Sequence, residues 1–107
     1  EPFLSRLVDH ITSNPEREWT LTAMADTVGT SPRSLSRKFN AHLGMSPAKF
    51  VERIRIDRAR DTLIHGAPLK SVAALCGFGD AQRMRRAFTR HLGISAADFA
   101  AQFCSPE

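Results

Sequence analysis

The sequence predicts an all-α fold of about seven helices, arranged as two helix-turn-helix units of three helices each joined by a long middle helix. Apolar residues recur at spacings of three and four along the 107-residue chain, and no sustained alternation typical of strands occurs. Glycine, proline and serine punctuate these stripes, and the second half of the chain repeats the pattern of the first.

The first half of the chain contains signals for three short helices and the start of a longer one. One apolar stripe covers residues 3–11, and another covers residues 21–28 and stops at Gly29. Ser31-Pro32 places a capping serine before a proline at the first helical position, which opens the third helix. Ser46-Pro47 repeats this start and opens the middle helix, which is predicted to run to about residue 65.

The second half follows the same plan. Residues 39–50 read FNAHLGMSPAKF and residues 88–99 read FTRHLGISAADF, identical at seven of twelve positions. Upstream of these segments the offset is 48 instead of 49, so one residue is inserted in the second turn, with Phe78 the candidate. The helices of this half are opened by Pro68, Asp80 and Ser95. The predicted divisions are the first unit at 1–45, the linker helix at 46–66 and the second unit at 67–107.

Charge is distributed unevenly along the chain. The net charge is +4, but residues 1–32 hold two basic and five acidic side chains, whereas residues 33–107 hold thirteen basic and six acidic ones. A solvated surface usually mixes the two signs, so this surplus predicts an anionic partner.

The helix after each glycine turn carries the candidate binding residues. An α-helix fits the major groove of B-DNA, where arginine pairs with guanine and glutamine with adenine, and short serines permit close approach. The predicted base-reading residues are Arg33, Ser34, Ser36, Arg37, Gln82, Arg83 and Arg86. The predicted contacts to the DNA backbone are Lys38, Arg85 and Arg90. The sequence therefore predicts binding of double-stranded DNA, with one helix in each of two successive major grooves.

Other interpretations of these helices compete with base recognition. They could be ordinary solvated faces, but both repeats carry the pattern at the same place, with Arg37 equivalent to Arg86. They could neutralise phosphate without reading sequence, but Gln82 and the serines argue against this, because pure charge neutralisers would be lysine or arginine throughout. The alternative function is a helical protein-interaction module whose basic face meets an acidic partner.

The middle helix carries a second basic cluster, Arg53, Arg55, Arg58 and Arg60, mixed with Glu52, Asp57 and Asp61. Ion pairs within the helix would account for most of it, each worth a few tenths of a kcal/mol. Contact of one or two of these arginines with phosphate is the alternative. Arg55 lies between two isoleucines and is expected to be half-buried.

Catalysis is not indicated. His42 and His91 hold equivalent positions near helix ends, where the helix dipole favours a cation. No metal-ligand spacing links cysteine to histidine, and no glycine-rich phosphate loop occurs, so no catalytic residue, metal or cofactor is predicted. Cys76 is expected to be a buried free thiol in a reducing cytoplasm, and Cys104 could be reactive but has no activating neighbour in the sequence.

Two further features concern the context of the chain. It has no signal peptide and no apolar run of about 18 residues, so no membrane insertion is predicted. It starts at Glu1-Pro2 without a methionine, which predicts that it is a fragment of a longer protein.

The two units read LTAMADTVGTSPRSLSRKFNAHLGMSPAKF and LKSVAALCGFGDAQRMRRAFTRHLGISAADF. The second contains Gly-Phe, a capped helix with R-x-F, and then G-x-S followed by an aromatic residue. In these motifs, and over nearly its whole length, the chain resembles the DNA-binding domain of the AraC/XylS family. The segment GFGDAQRMRRAF further resembles the subgroup whose N-terminal domain is similar to a class I glutamine amidotransferase.

This resemblance implies the DNA-binding part of a cytoplasmic bacterial transcription regulator that recruits RNA polymerase, usually as an activator. The sensing domain of such a regulator is not part of this sequence. The resemblance places Arg33, Ser36 and Arg37 on the first recognition helix and Gln82, Arg83 and Arg86 on the second, with helix 47–65 as a rigid linker. The sequence departs from the family pattern at two positions. Ala96 replaces the usual proline, which weakens helix initiation, and Met84 replaces an aromatic residue or leucine, which the core tolerates.

Overall fold

The computed structural model describes residues 2–103, and this part of the chain consists of helices and turns without a strand. The seven helices are α1 (Pro2–Ser13), α2 (Leu21–Val28), α3 (Pro32–Leu43), α4 (Pro47–Ile64), α5 (Leu69–Leu75), α6 (Ala81–Leu92) and α7 (Ala96–Phe103). The predicted all-α fold is confirmed. Cys104, the second cysteine of the chain, lies outside the described residues.

Side-chain caps fix where the helices begin. At the start of α3 the Ser31 hydroxyl accepts a hydrogen bond from the backbone amide of Ser34, at 3.1 Å. At the start of α6 the Asp80 carboxylate accepts one from the backbone amide of Arg83, at 2.8 Å. Each cap satisfies a backbone donor that the first turn of a helix leaves unpaired. The helices α3 and α6 therefore start by the same device, with a hydroxyl in one and a carboxylate in the other.

The cap of α7 uses the same chemistry. The Ser95 hydroxyl accepts the Asp98 amide at 3.0 Å, so the helix keeps its cap although Ala96 stands where proline is usual. Ala96 is itself fully buried. The departure at this position thus leaves the start of α7 in place.

The two short turns between helices differ in length. Three residues separate α2 from α3, and Gly29 closes α2 in the left-handed conformation. Five residues separate α5 from α6, and two of them, Gly77 and Gly79, have a φ of 89°. Between these glycines lies Phe78, the predicted insertion, which is buried in the core of its unit. The longer turn thus serves to place an additional aromatic ring in the core.

The chain divides into two compact units, Glu1–Ile54 and Arg55–Glu107, so the boundary falls inside α4. The core of the first unit is formed by Leu4, Leu7, Ile11, Met24, Ala25, Leu35, Phe39 and Val51. The core of the second unit is formed by Ile56, Ala59, Leu63, Val72, Ala73, Cys76, Phe78, Met84, Ala87, Phe88, Ala96 and Phe99. Because α4 contributes to both cores, its apolar residues do not form one continuous stripe.

The repeated twelve-residue segments begin and end with phenylalanines that pack on each other. In the first unit the ring centroids of Phe39 and Phe50 are 5.6 Å apart. In the second unit those of Phe88 and Phe99 are 5.3 Å apart, in an edge-to-face arrangement. Tilted and edge-to-face pairs are the favoured geometries for aromatic rings. The aromatic ends of the repeat therefore join α3 to α4 and α6 to α7.

The free thiol of Cys76 is buried, as the sequence predicted. Burial raises its pKa, although the Thr62 hydroxyl 4.0 Å from the sulfur and the charge of Arg58 act in the opposite direction. Arg55 is half-buried, and burial lowers the pKa of its guanidinium. Within residues 2–103, no helix is both long enough and apolar enough to cross a membrane.

We expect Gly93→Ala to lower the free energy of unfolding by about 1–2 kcal/mol, because Gly93 has a φ of 71° and a side chain there strains the backbone. A Cβ at this position would meet no atom within 4 Å, so the effect is conformational. Gly93→Asn is the matched control and should cost less, since asparagine tolerates the left-handed region. Urea unfolding measures both, and equal stability of Gly93→Ala and the wild type would contradict the explanation.

The raised pKa of Cys76 predicts a loss of stability in alkali. Above the ordinary thiol value of about 8.5 the unfolded chain loses the thiol proton first, so the free energy of unfolding should fall by up to about 1.4 kcal/mol per pH unit. Cys76→Val, which copies the equivalent Val28 of the first unit, should remove this component. Urea unfolding between pH 7 and pH 10, in a Cys104→Ser background, compares the two. Identical pH profiles would refute the prediction.

Candidate nucleic-acid interface

The helices α3 and α6 each span 12 residues and bury one side in the core of their own unit. The buried side of α3 carries Leu35 and Phe39. That of α6 carries Met84, Ala87 and Phe88. With the inner side fixed in this way, the 100° rotation per residue of an α-helix decides which side chains point away from the core.

On α3 the outward line is formed by Arg33, Arg37 and Asn40, all of which are exposed. The two predicted serines lie toward the sides of the helix, and both Ser34 and Ser36 are half-buried. The backbone carbonyl of Ser36 accepts a hydrogen bond from the Asn40 side-chain amide at 2.9 Å. The outermost positions of α3 are thus two arginines one turn apart, followed by an amide.

On α6 a shallow depression collects most of the predicted side chains. It is lined by Gln82, Arg85, Arg86, Thr89 and Arg90. Gln82, Arg86 and Thr89 form its outward line by helical spacing, with the other two arginines at its sides. The structure therefore brings one predicted base-reading pair together with both predicted backbone contacts of this helix.

Two predicted residues are held outside these lines. The Arg83 side chain does not line the depression, and its Nε lies 3.9 Å from a carboxylate oxygen of Asp80, the residue that caps the helix. The ammonium of Lys38 lies 5.2 Å from the centre of the Phe3 ring on α1, within cation–π distance. Both charges thus have a partner within their own unit.

Sequence reasoning missed Asn40 and Thr89. They occupy equivalent positions of the repeat, 49 residues apart. Each lies seven positions after the first residue of its outward line, Arg33 or Gln82, so two full helical turns bring it back to the same side. Extending the predicted line by one more turn would have identified both.

The arrangement suits binding of an anionic double helix. Arginine offers a planar fork of donors, and glutamine, asparagine and threonine add neutral donors and acceptors. Among residues 2–103, no group of three or more histidines, cysteines, aspartates or glutamates is placed to hold a metal ion.

Comparison with known proteins agrees with this geometry. A family described as "Helix-turn-helix domain" matches residues 24–102. An HTH-type transcriptional regulator of Mycobacterium tuberculosis is 40% identical over 82 residues, which are 75% of this chain and 31% of that protein. The lactose operon transcription activator of Staphylococcus xylosus is 30% identical over 101 residues, which are 94% of this chain and 36% of that protein. The chain thus spans about a third of the length of these relatives.

A solved structure extends the comparison to the fold. The DNA-binding domain of AdpA, a global transcriptional factor determined in complex with a target DNA, aligns with a TM-score of 0.89 at 25% identity. The alignment covers 94% of this chain and 91% of that one. The family match includes both recognition helices, and the fold agrees over nearly the whole chain. An AraC-like transcription regulator of Streptomyces lividans is 32% identical over 100 residues, which are 92% of this chain and 33% of that protein. This chain belongs to the helix-turn-helix family of AraC-type DNA-binding domains of transcription regulators.

Proposed function

We propose that this chain reads the sequence of double-stranded DNA through α3 and α6, each in its own major groove. The observation that carries the proposal is the equivalence of the two exposed lines. Arg37 and Arg86 occupy the same position of the repeat, and each is exposed on a helix whose opposite side is buried. A helix with a fixed inner side and a polar, cationic outer side has the form of a major-groove recognition helix.

The outward lines suggest which side chains contact base edges and which contact phosphates. Base edges are assigned to Arg33, Arg37, Gln82 and Arg86, with Ser34 and Ser36 allowing close approach and bonding to bases or phosphates. Arg83 remains a proposed base contact, although it must leave its ion pair with Asp80 to reach one. The phosphate backbone is assigned to Lys38, Arg85 and Arg90, because cations beside a reading helix meet the groove walls.

The domain limits follow the same proposal. We propose helix-turn-helix units at residues 1–45 and 67–107 joined by a linker helix at residues 46–66, whose two halves belong to the compact units Glu1–Ile54 and Arg55–Glu107. Two recognition helices in successive major grooves would contact bases about 10 base pairs apart, which is one turn of B-DNA. The operator would then consist of two short half-sites at this spacing.

The family supplies the wider function. We propose that the chain is the DNA-binding part of a longer, cytoplasmic bacterial regulator, that it acts by recruiting RNA polymerase, and that it carries out no catalysis. Activation is the favoured outcome, because the relative from Staphylococcus xylosus is an activator. The class I glutamine amidotransferase-like sensing domain implied by the segment GFGDAQRMRRAF is a further part of this proposal.

Selection of bound fragments from a random double-stranded DNA library tests the function directly. Sequence-specific binding predicts enrichment of a motif with two parts about 10 base pairs apart. The alternative function, a protein-interaction module whose basic face meets an acidic partner, predicts binding without preference among duplexes. A library that remains random after several rounds would therefore favour the alternative.

Arg86→Ala and Arg90→Ala should affect DNA binding differently. Loss of a base-reading arginine should cost about 1–3 kcal/mol and relax selectivity at one or two base pairs. Loss of a phosphate contact should weaken binding to all sequences alike and lower the slope of log affinity against log salt by about one. Fluorescence anisotropy with single-base operator variants, from 50 to 200 mM salt, separates the two. If Arg86→Ala weakens every variant equally, Arg86 contacts the backbone.

Asp80→Ser should strengthen DNA binding while keeping the fold. Serine retains the cap, as Ser31 does at the start of α3, but removes a carboxylate beside the proposed DNA face and frees Arg83. We expect a gain of about 1 kcal/mol in binding at low salt, from the loss of charge repulsion. Asp80→Ala is the control and should lose about 1 kcal/mol of stability through loss of the cap. Unchanged affinity of Asp80→Ser would place the carboxylate away from DNA.

A further inference from the structure

We propose that positions 33 and 82 make the two half-sites of the operator different. Arg33 selects guanine in the half-site bound by α3, and Gln82 selects adenine in the half-site bound by α6. Arg37 and Arg86 select guanine in both. This inference rests on the proposed function and names the bases that each recognition helix takes.

The two positions are structurally equivalent. Arg33 is the second residue of α3, and Gln82 is the second residue of α6. Each follows an N-cap whose side chain accepts the amide three residues later, so the first turns share one backbone geometry. Residues at the start of a recognition helix are those that contact base edges. The two side chains therefore leave their helices from matching points and differ only in chemistry.

The second pair of positions lies one turn further along each helix. Arg37 and Arg86 follow Arg33 and Gln82 by four residues, which is about 6 Å along the helix axis at 1.5 Å per residue. Successive bases along one strand are about 3.4 Å apart. Each helix therefore contacts two bases that are about two positions apart along one strand. The pairs are guanine and guanine for α3, and adenine and guanine for α6.

These four side chains are available to take a base. Within residues 2–103 the side chains of Arg33, Arg37, Gln82 and Arg86 have no hydrogen-bond or ion-pair partner, and all four are exposed. Arg83, by contrast, is paired with Asp80 at 3.9 Å. An available side chain meets a base without first giving up a contact within the protein. Arg85 is exposed and available as well, but it lies at the side of the α6 line, at the position equivalent to Ser36, and is assigned to the phosphate backbone.

Hydrogen-bond chemistry decides which base each position takes. The arginine fork presents two donors, which match the two acceptors of guanine, N7 and O6. The glutamine amide presents one donor and one acceptor, which match N7 and the N6 amino group of adenine. Exchanging the two residues thus exchanges the donor pattern and should exchange the preferred base.

The test is a reciprocal exchange. Wild type, Arg33→Gln, Gln82→Arg and the double variant are each used to select from a random duplex library, and affinities for single-base variants of the enriched site are then measured. Arg33→Gln should convert one guanine preference to adenine, and Gln82→Arg should convert the adenine to guanine. In the double variant, the preference for adenine should be found in the half-site bound by α3 instead of the one bound by α6. Each change should alter relative affinity for the two bases by about 5- to 150-fold.

Arg6→Gln is the matched control, because it makes the same chemical change and loses one charge from the exposed surface of α1. It should leave the preferred bases unchanged. Circular dichroism and thermal unfolding establish that each variant folds, as expected for substitutions at exposed positions. A wild-type motif that none of the exchanges alters would overturn this inference and leave the proposed function standing. No motif for the wild type would overturn the proposed function itself.

Discussion

The buried phenylalanine on each recognition helix is the contact on which the binding surface depends. Phe39 and Phe88 are both fully buried, and each packs on a phenylalanine of the next helix. Turning the helix about its axis would expose this ring, at a cost of about 1.5–3 kcal/mol. The arginines two residues earlier, Arg37 and Arg86, are therefore held on the outside of the molecule.

The charged residues around this buried ring differ between the two units. In the first unit the ammonium of Lys38 lies over Phe3, so part of the positive charge of α3 is directed toward α1. In the second unit the cap is a carboxylate, and Asp80 pairs with Arg83 while the remaining arginines of α6 line one depression. Three arginines thus gather in the depression of α6, whereas the outward line of α3 carries two.

The composition of helix α4 follows from its contribution of buried side chains to two hydrophobic cores. Its first half contributes Val51 to the core of the first unit, and its second half contributes Ile56, Ala59 and Leu63 to that of the second. A helix with one buried side shows a single apolar stripe, whereas this one has two separate sets. Its outer positions carry mixed charges, such as the pair formed by Arg60 and Asp57 at 3.9 Å.

The sequence alone determined the helices, their starts and the repeat, because caps, glycine ends and apolar spacing are local signals carried by neighbouring residues. It also located Arg37, Gln82 and Arg86, since their outward position follows from the helical period once Phe39 and Phe88 are taken as buried. Only the tertiary structure decided which charges have partners on another helix. The distance from Lys38 to the Phe3 ring depends on how α1 packs against α3, which are far apart in the sequence. The pair of Asp80 and Arg83, by contrast, is three residues apart on one helix turn, a spacing that the sequence already shows.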